Sequence, residues 1–142
     1  MTLTACAGTP RDWSVSTSSV HLGAILTATA ALNEALGCEA LRVGGGACAD
    51  GGGCIRDVPN SALTVESHEV GEYDDPGEIL LDRDLNADAT QVVVLHELGH
   101  AFGLAHTVTG IMAAQITHGA LVPGDVAELA HLIKLRGGYS CY

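Results

Sequence analysis

The sequence predicts an α+β fold, a single domain covering residues 1–142 in which a mixed, twisted sheet is covered by helices. Length and hydropathy give the first indication, because 142 residues with 47% hydrophobic side chains suffice for one domain with its own core. Strand-like and helix-like segments follow in the order strand, helix, strands, helix, helix. This order suits two helices packed on a mixed sheet and a further helix at the C-terminus. Aromatic residues make up only 4% of the chain, so we expect an aliphatic core.

Four short segments predict β-strands because apolar and β-branched residues alternate in them or run together between turn residues. They are Asp12–Ser18, Glu39–Val43, Ala62–Val70 and Glu78–Leu81. Two connections predict loops because glycine, proline and aspartate accumulate in them. The first loop is Ala47–Asn60, which is bracketed by Cys48 and Cys54, and the second is the turn Tyr73–Gly77.

Three segments predict α-helices from their apolar periodicity and their end signals. They are Val20–Leu36, Ala89–Phe102 and Pro123–Arg136. In the first helix, Ser18 or Ser19 would cap the N-terminus and Gly37 would end the helix. In the second helix, Asp88 and Gln91 have the spacing of a capping box. The third helix begins with proline, a residue that favours the first helical position.

The run from His96 to His106, HELGHAFGLAH, carries the strongest functional signal. Residues four apart lie on one face of a helix, so His96 and His100 can bind one metal ion. Gly103 lets the chain leave the helix, so His106 can become a third ligand. Three imidazoles leave the fourth tetrahedral position of a zinc ion open, as a catalytic site requires. Glu97, one residue after the first ligand, can then act as a general base toward a water on that ion.

The pattern H-E-x-x-H-x-x-G-x-x-H resembles the motif of the metzincin zinc peptidases. Met112 follows His106 after a short gap, similar to the methionine turn of the matrixins, and the segment Gly77–Arg136 resembles small bacterial matrixin-like proteins. The resemblance implies a zinc endopeptidase with an active-site cleft between an upper sheet-and-helix part and a lower irregular part. It also implies that Glu97 is the catalytic base and acid, and that Met112 is a structural floor under the ligands.

The same resemblance implies where a protein or peptide substrate binds. An extended substrate would add to an exposed sheet edge, for which Ala62–Val70 is the candidate. The wall of the pocket after the scissile bond would follow Met112, and its small or apolar residues imply a preference for a medium-sized apolar side chain. These residues are Ala114, Gln115, Ile116 and Thr117. Ala114 is also a departure, because some metzincins carry a tyrosine at this position.

Five cysteines predict disulfide bonds and an oxidising compartment, although the sequence does not fix the pairing. A reduced protein with buried thiols is the alternative. Cys6 lies in a segment that loosely resembles the matrixin propeptide, whose thiolate caps the zinc, so residues 1–11 would be an extension or a propeptide remnant. The competing interpretation is a disulfide from Cys6, for example to Cys141.

The formal net charge of −11 argues against nucleic acid and anionic membranes as partners, since both require basic patches. No stretch is long and apolar enough to predict a membrane-spanning helix. Together with the cysteines, these features predict a secreted, periplasmic or cell-surface monomer, although Met1–Cys6 shows no targeting segment.

A calcium site is the second metal site that the sequence suggests. Four oxygen-bearing residues alternate like a calcium loop, namely Asp82, Asp84, Asn86 and Asp88. Ala87 and Val93 replace the glycine and glutamate that such a loop needs, so we expect a solvated connection instead. Four further loop carboxylates could hold calcium, with no better support: Asp50, Asp57, Asp74 and Asp75. The histidines outside the motif, His21, His68, His118 and His131, lack ligand spacing, although His118 follows the Met112 segment and could line the cleft.

Two functions fit these observations. The first is a zinc endopeptidase, and the second is a zinc-binding but non-proteolytic peptide-binding protein on the same fold. Glu97 is the residue that separates them, because an inactive relative would often lose its base.

Overall fold

The computed structural model describes residues 11–48, 53–63, 71–74, 77–114 and 120–136. These residues form five strands, which we number in chain order: β1 (Arg11–Val15), β2 (Leu41–Gly45), β3 (Gly53–Val58), β4 (Gly71–Asp74) and β5 (Glu78–Asp82). Three α-helices accompany them: α1 (Leu22–Leu36), α2 (Ala87–Ala101) and α3 (Pro123–Leu135). The predicted α+β class and the mixed sheet are confirmed. None of the described helices is both long and apolar enough to cross a bilayer.

The strands form one sheet in the order β2-β1-β3-β5-β4. The first four are parallel to one another, and β4 runs antiparallel to β5 at one edge. Alternate residues of a strand point to opposite faces, and on one face Val15, Ile55 and Ile79 are almost completely buried. Helix residues such as Leu32 and Leu98 join them in a single aliphatic core. The sheet thereby supports α2, the helix that carries the HELGH sequence.

β3 replaces a predicted loop, so the prediction for Ala47–Asn60 is wrong over Gly53–Val58. Its glycine-rich start suits the place it occupies, because Gly53 lies opposite Trp13 of β1. A Cβ atom at Gly53 would come within 2.4 Å of the Trp13 ring. Glycine weakens an isolated strand, but it fits at the start of β3 because the Trp13 ring fills the space that a side chain would occupy.

The strand predictions Asp12–Ser18, Glu39–Val43 and Glu78–Leu81 are correct in place and wrong in extent. β1 ends three residues before Ser18, β2 is shifted by two residues from Glu39–Val43, and β5 extends Glu78–Leu81 by one residue. The turn predicted at Tyr73–Gly77 is wrong at its start, because its first two residues belong to β4. Within Ala62–Val70 the structure describes only the first two residues, and the first of them ends a short 3-10 turn.

The start of α1 differs from the prediction. Its N-cap is His21, which makes no side-chain cap hydrogen bond, so the prediction of Ser18 or Ser19 is wrong. The Ser19 hydroxyl instead accepts from the His21 N–H at 3.1 Å and donates to Asp57 at 2.8 Å. The predicted end of α1 is confirmed, since Gly37 has a left-handed φ of 80°.

The start of α2 is capped by Asn86, so the predicted capping box of Asp88 and Gln91 is wrong. The Oδ1 atom of Asn86 accepts a hydrogen bond from the N–H of Ala89 at 2.8 Å. Asp88 falls in the first turn of the helix, where its charge still suits the positive helix end. The Asn86 carbonyl also accepts from the N–H of Thr90 at 2.9 Å, so the helix starts directly after Asn86.

Removal of this cap should be measurable. Asn86→Ala is expected to lower the free energy of unfolding by about 1 kcal/mol, because the Ala89 N–H loses its acceptor. Urea unfolding of the metal-free protein measures the change. Asp88→Ala is the matched control and should cost clearly less. A larger loss in the control than in Asn86→Ala would assign the cap to Asp88 instead.

The prediction of disulfides is confirmed. Cys48 and Cys54 are bonded across the connection that leads from β2 into β3. Cys38 is also disulfide-bonded, and no cysteine within the described ranges is free. Cys6 and Cys141 lie outside the described residues, so the zinc-capping role suggested for Cys6 stays a prediction.

Candidate metal centre

Three histidine side chains converge at the end of α2. The Nε2 atom of His100 lies 3.1 Å from Nε2 of His96 and 3.1 Å from Nε2 of His106. One nitrogen of each ring lies within 4.8 Å of those of the other two. Nitrogens bound at 2.0–2.1 Å to a tetrahedral zinc ion lie about 3.3 Å apart. The spacing of the three rings therefore fits one metal ion.

The opposite ring nitrogens fix the tautomers of two of these histidines. Nδ1–H of His96 donates to the carbonyl of Ile111 at 2.7 Å, and Nδ1–H of His100 donates to the carbonyl of Leu104 at 2.8 Å. A carbonyl can only accept, so in the neutral rings the proton is on Nδ1 and the Nε2 lone pair is bare. Two bare lone pairs that face each other at 3.1 Å repel unless a proton or a metal ion lies between them. This is the donor arrangement of metal-ligating histidines, whose other nitrogen is held by a carbonyl or a carboxylate.

The turn after α2 brings the third histidine back to the helix. Gly103 has a left-handed φ of 89°, which glycine adopts without strain. Its N–H donates to the carbonyl of His100 at 2.8 Å, and the N–H of Leu104 donates to that of Gly99 at 3.0 Å. These bonds form a Schellman turn, which reverses the chain toward His106. The same turn presents the Leu104 carbonyl that orients His100.

The segment around Met112 packs against α2 at Gly99. Met112 is fully buried, and its carbonyl accepts from the N–H of Thr107 at 2.9 Å. Its side chain packs on Gly99, where a Cβ atom would lie only 2.4 Å from the methionine Sδ. The preceding residue, Ile111, supplies the carbonyl for His96. Gly99 is a site residue that sequence reasoning missed, and its position between the first two ligands was the only available signal.

Glu97 lies on α2, on the side of the helix that faces the start of β4. Its side chain is buried, with 7% of its surface exposed. Gly71, the first residue of β4, packs against it, since a Cβ atom there would lie 3.5 Å from Cγ of Glu97. β4, the last strand in the order of the described sheet, therefore begins beside Glu97. The edge suggested earlier, Ala62–Val70, lies outside the described residues from its third position onward.

Burial sets the protonation state of the first ligand. Desolvation lowers the pKa of His96 from 6.5 to about 4, the hydrogen bond to Ile111 opposes this shift, and the charges of His100 and His106 add to it. The folded protein therefore holds His96 neutral, as a metal ligand must be.

This pKa shift predicts acid sensitivity of the metal-free protein. Between pH 6.5 and about 4 the unfolded chain binds a proton at His96 that the folded protein does not, so the free energy of unfolding falls as the pH falls. Urea unfolding across this range should show a steeper loss in the natural sequence than in His96→Gln. His131→Gln, which changes an exposed histidine on α3, should leave the slope unchanged. Equal slopes for the natural sequence and His96→Gln would contradict the prediction.

Three of the side chains suggested for calcium accept hydrogen bonds from protein groups, namely Asp82, Asn86 and Asp57. Asp82 accepts from the N–H of Asp84 at 2.9 Å and from the side chain of Asn60 at 3.0 Å. Asn86 caps α2, and Asp57 accepts from Ser19 and from the N–H of Val20. Asp50 and Asp75 lie outside the described residues, and of Asp74 only the backbone is described. Within the described part of the chain, the three histidines are the group found able to hold a metal ion.

The remaining candidate residues are dispersed. His21 is buried and donates from Nε2–H to the carbonyl of Asp82 at 2.9 Å, so it is a structural core histidine. Ala114 is exposed. The others lie outside the described residues: Gln115, Ile116, Thr117, His68 and His118. A cavity of about 660 Å³ lies between α1 and β2 at the far edge of the sheet and shares no residue with the histidine cluster.

Comparison with models of known protein families finds no match to this chain, and no curated protein matches it either.

Proposed function

We propose that this protein is a zinc-dependent endopeptidase with a metzincin-like centre. One observation carries the proposal: three Nε2 atoms converge at ligand spacing while carbonyl groups hold the Nδ1–H groups of His96 and His100. This arrangement leaves the lone pairs available to one ion and assigns three nitrogen ligands to it. A fourth position then remains for water and substrate.

The roles of the residues follow from this arrangement. His96, His100 and His106 hold the ion, which when bound would lower the pKa of a water molecule and polarise the peptide carbonyl. The Glu97 carboxylate accepts the proton of the attacking water and transfers it to the departing amine. Met112 packs beneath the ligands and is not one of them.

The edge strand β4 supports a role in substrate binding. It begins against Glu97, and among the described residues no further strand pairs with its outer side. An extended peptide can pair with such an edge through main-chain hydrogen bonds, which places its backbone next to the base. The segment from Ala114 to Thr117 would form the adjoining pocket for a medium-sized apolar side chain.

We propose that the protein acts outside the cell, in the periplasm or at the cell surface. The Cys48–Cys54 disulfide supports an oxidising compartment. The acidic charge supports protein or peptide substrates rather than nucleic acid. We propose that the protein acts as a monomer.

Metal analysis joined to a cleavage assay tests the function. The purified chain should bind one zinc ion and cleave an unfolded protein, and a zinc chelator should abolish cleavage. His106→Ala should lose both properties, whereas His131→Ala, an exposed histidine on α3, should retain both. Absence of bound zinc in the natural sequence would overturn the proposal. Bound zinc with specific peptide binding but no cleavage would assign the non-proteolytic function instead.

A further inference from the structure

The C-terminal end of α2 is closed by an unusual donor. The last four carbonyl groups of a helix lack partners within the regular helical pattern and must be satisfied locally or from outside. In α2 the N–H groups of Phe102, Leu104 and Gly103 donate to the carbonyls of residues 98, 99 and 100. The fourth carbonyl, that of Ala101, accepts from the guanidinium Nη1 of Arg11, which is 90 positions away in the chain.

Arg11 is well placed to hold this helix end. It is the first residue of β1, and its own N–H donates to the carbonyl of Ala40 at 3.0 Å, so its backbone is fixed in the sheet. Its guanidinium also lies over the ring of Phe102, 5.2 Å from the ring centre. A cation at a helix C-terminus is favourable, and the aromatic contact adds to it. Two successive residues at the end of α2 are thereby tied to the first strand.

The end of α1 offers a comparison within the same molecule. It closes with the same turn, because Gly37 donates to the carbonyl of Glu34 and Cys38 donates to that of Asn33. No basic residue lies in its last turn. Such a turn therefore forms without an arginine. If Arg11 contributes to the turn after α2, it does so by fixing the position of that turn relative to β1.

The turn after α2 differs from that of α1 in carrying a ligand contact. Leu104, whose N–H closes the turn, accepts the Nδ1–H of His100 at its carbonyl. Any movement of the chain between Ala101 and Leu104 would move this carbonyl and rotate the imidazole. We propose that Arg11 is a positioning residue for the metal centre, acting through Ala101 and Phe102 on the Leu104 carbonyl and so on His100. This inference rests on the proposed metal-binding function.

Two measurements on Arg11→Met, made in the full chain, test the proposal. The first is amide hydrogen exchange of the metal-free protein. Gly103 and Leu104 should exchange faster in the variant, while Gly37 and Cys38, the matched turn of α1, should not change.

The second measurement is Zn²⁺ affinity by competition with a chelator. Arg11→Met should bind Zn²⁺ more weakly, by no more than the about two- to fivefold that a charge at a helix end contributes to helix stability. Arg11→Lys should recover part of the affinity, since it keeps the charge. Arg56→Met is the control, because Arg56 pairs with Glu78 on the sheet at 3.1 Å. It should bind Zn²⁺ like the natural sequence.

The outcomes separate this proposal from the proposed function. Unchanged exchange at Gly103 and Leu104, or unchanged Zn²⁺ affinity in Arg11→Met, overturns the positioning role. If the natural sequence binds no Zn²⁺, the proposed function fails. The exchange result alone then decides whether Arg11 anchors the turn.

Discussion

Glu97→Gln is expected to lower the cleavage rate by at least about a hundredfold while zinc stays bound. Glutamine keeps the size of the side chain but cannot accept the proton of the attacking water, and general-base catalysis contributes roughly 10² to 10⁴ in rate. The three ligand nitrogens and their carbonyl partners are unchanged by this substitution. The rate of steady-state cleavage of an unfolded protein, measured together with the zinc content of the same sample, tests this prediction.

The matched control for this experiment is Glu34→Gln. Glu34 is an exposed glutamate on α1, so the control removes the same charge away from the histidines. It should cleave at the natural rate. Cleavage by zinc-loaded Glu97→Gln at the rate of this control would remove Glu97 from the mechanism.

Gly99→Ala is expected to lower both the stability and the zinc affinity. The added Cβ atom would lie 2.4 Å from Sδ and 2.9 Å from Cε of Met112, which is fully buried, and 3.3 Å from Leu129. Overpacking of this kind costs about 1–3 kcal/mol of unfolding free energy. The displaced segment also carries the Ile111 carbonyl, and loss of such a partner typically weakens metal binding by about 10- to 100-fold. Urea unfolding and chelator competition measure the two effects.

Gly23→Ala separates this effect from the general effect of alanine in a helix. Gly23 lies in α1, and a Cβ atom there would meet nothing within 4 Å. Because alanine favours a helix by about 1 kcal/mol over glycine, this control should be as stable as the natural sequence or more stable. If Gly99→Ala matches the control in stability and in zinc affinity, Met112 does not constrain the ligand helix.

The parts of the site that the sequence predicted are those held by local geometry. His96 and His100 follow from helical spacing, and Gly103 follows from the need for a left-handed residue at the helix end. The helical spacing and the helix end each depend only on contacts between residues a few positions apart. The same is true of α3, which starts at its proline as predicted.

The parts that the sequence did not predict depend on residues far apart in the chain. β3 begins in a glycine-rich stretch because the Trp13 ring of a neighbouring strand covers it. Gly99 matters only because Met112 lies over it, and Arg11 only because the first strand reaches the end of α2. Periodicity and turn signals contain no information about such pairs, since each partner alone is unremarkable.

The sheet order described above also bears on how the chain folds. β1, α1 and β2 are neighbours in sequence and in space, and so are β4, β5 and α2, whereas β3 joins the two groups by pairing with β1 and β5. Loop closure slows contacts of large sequence separation, so the pairing of β1 with β3 and the contact from Arg11 to Ala101 should form late. A metal centre held in this way would mature only after both halves have docked, and a growing chain would lack an organised site until most of its length had emerged.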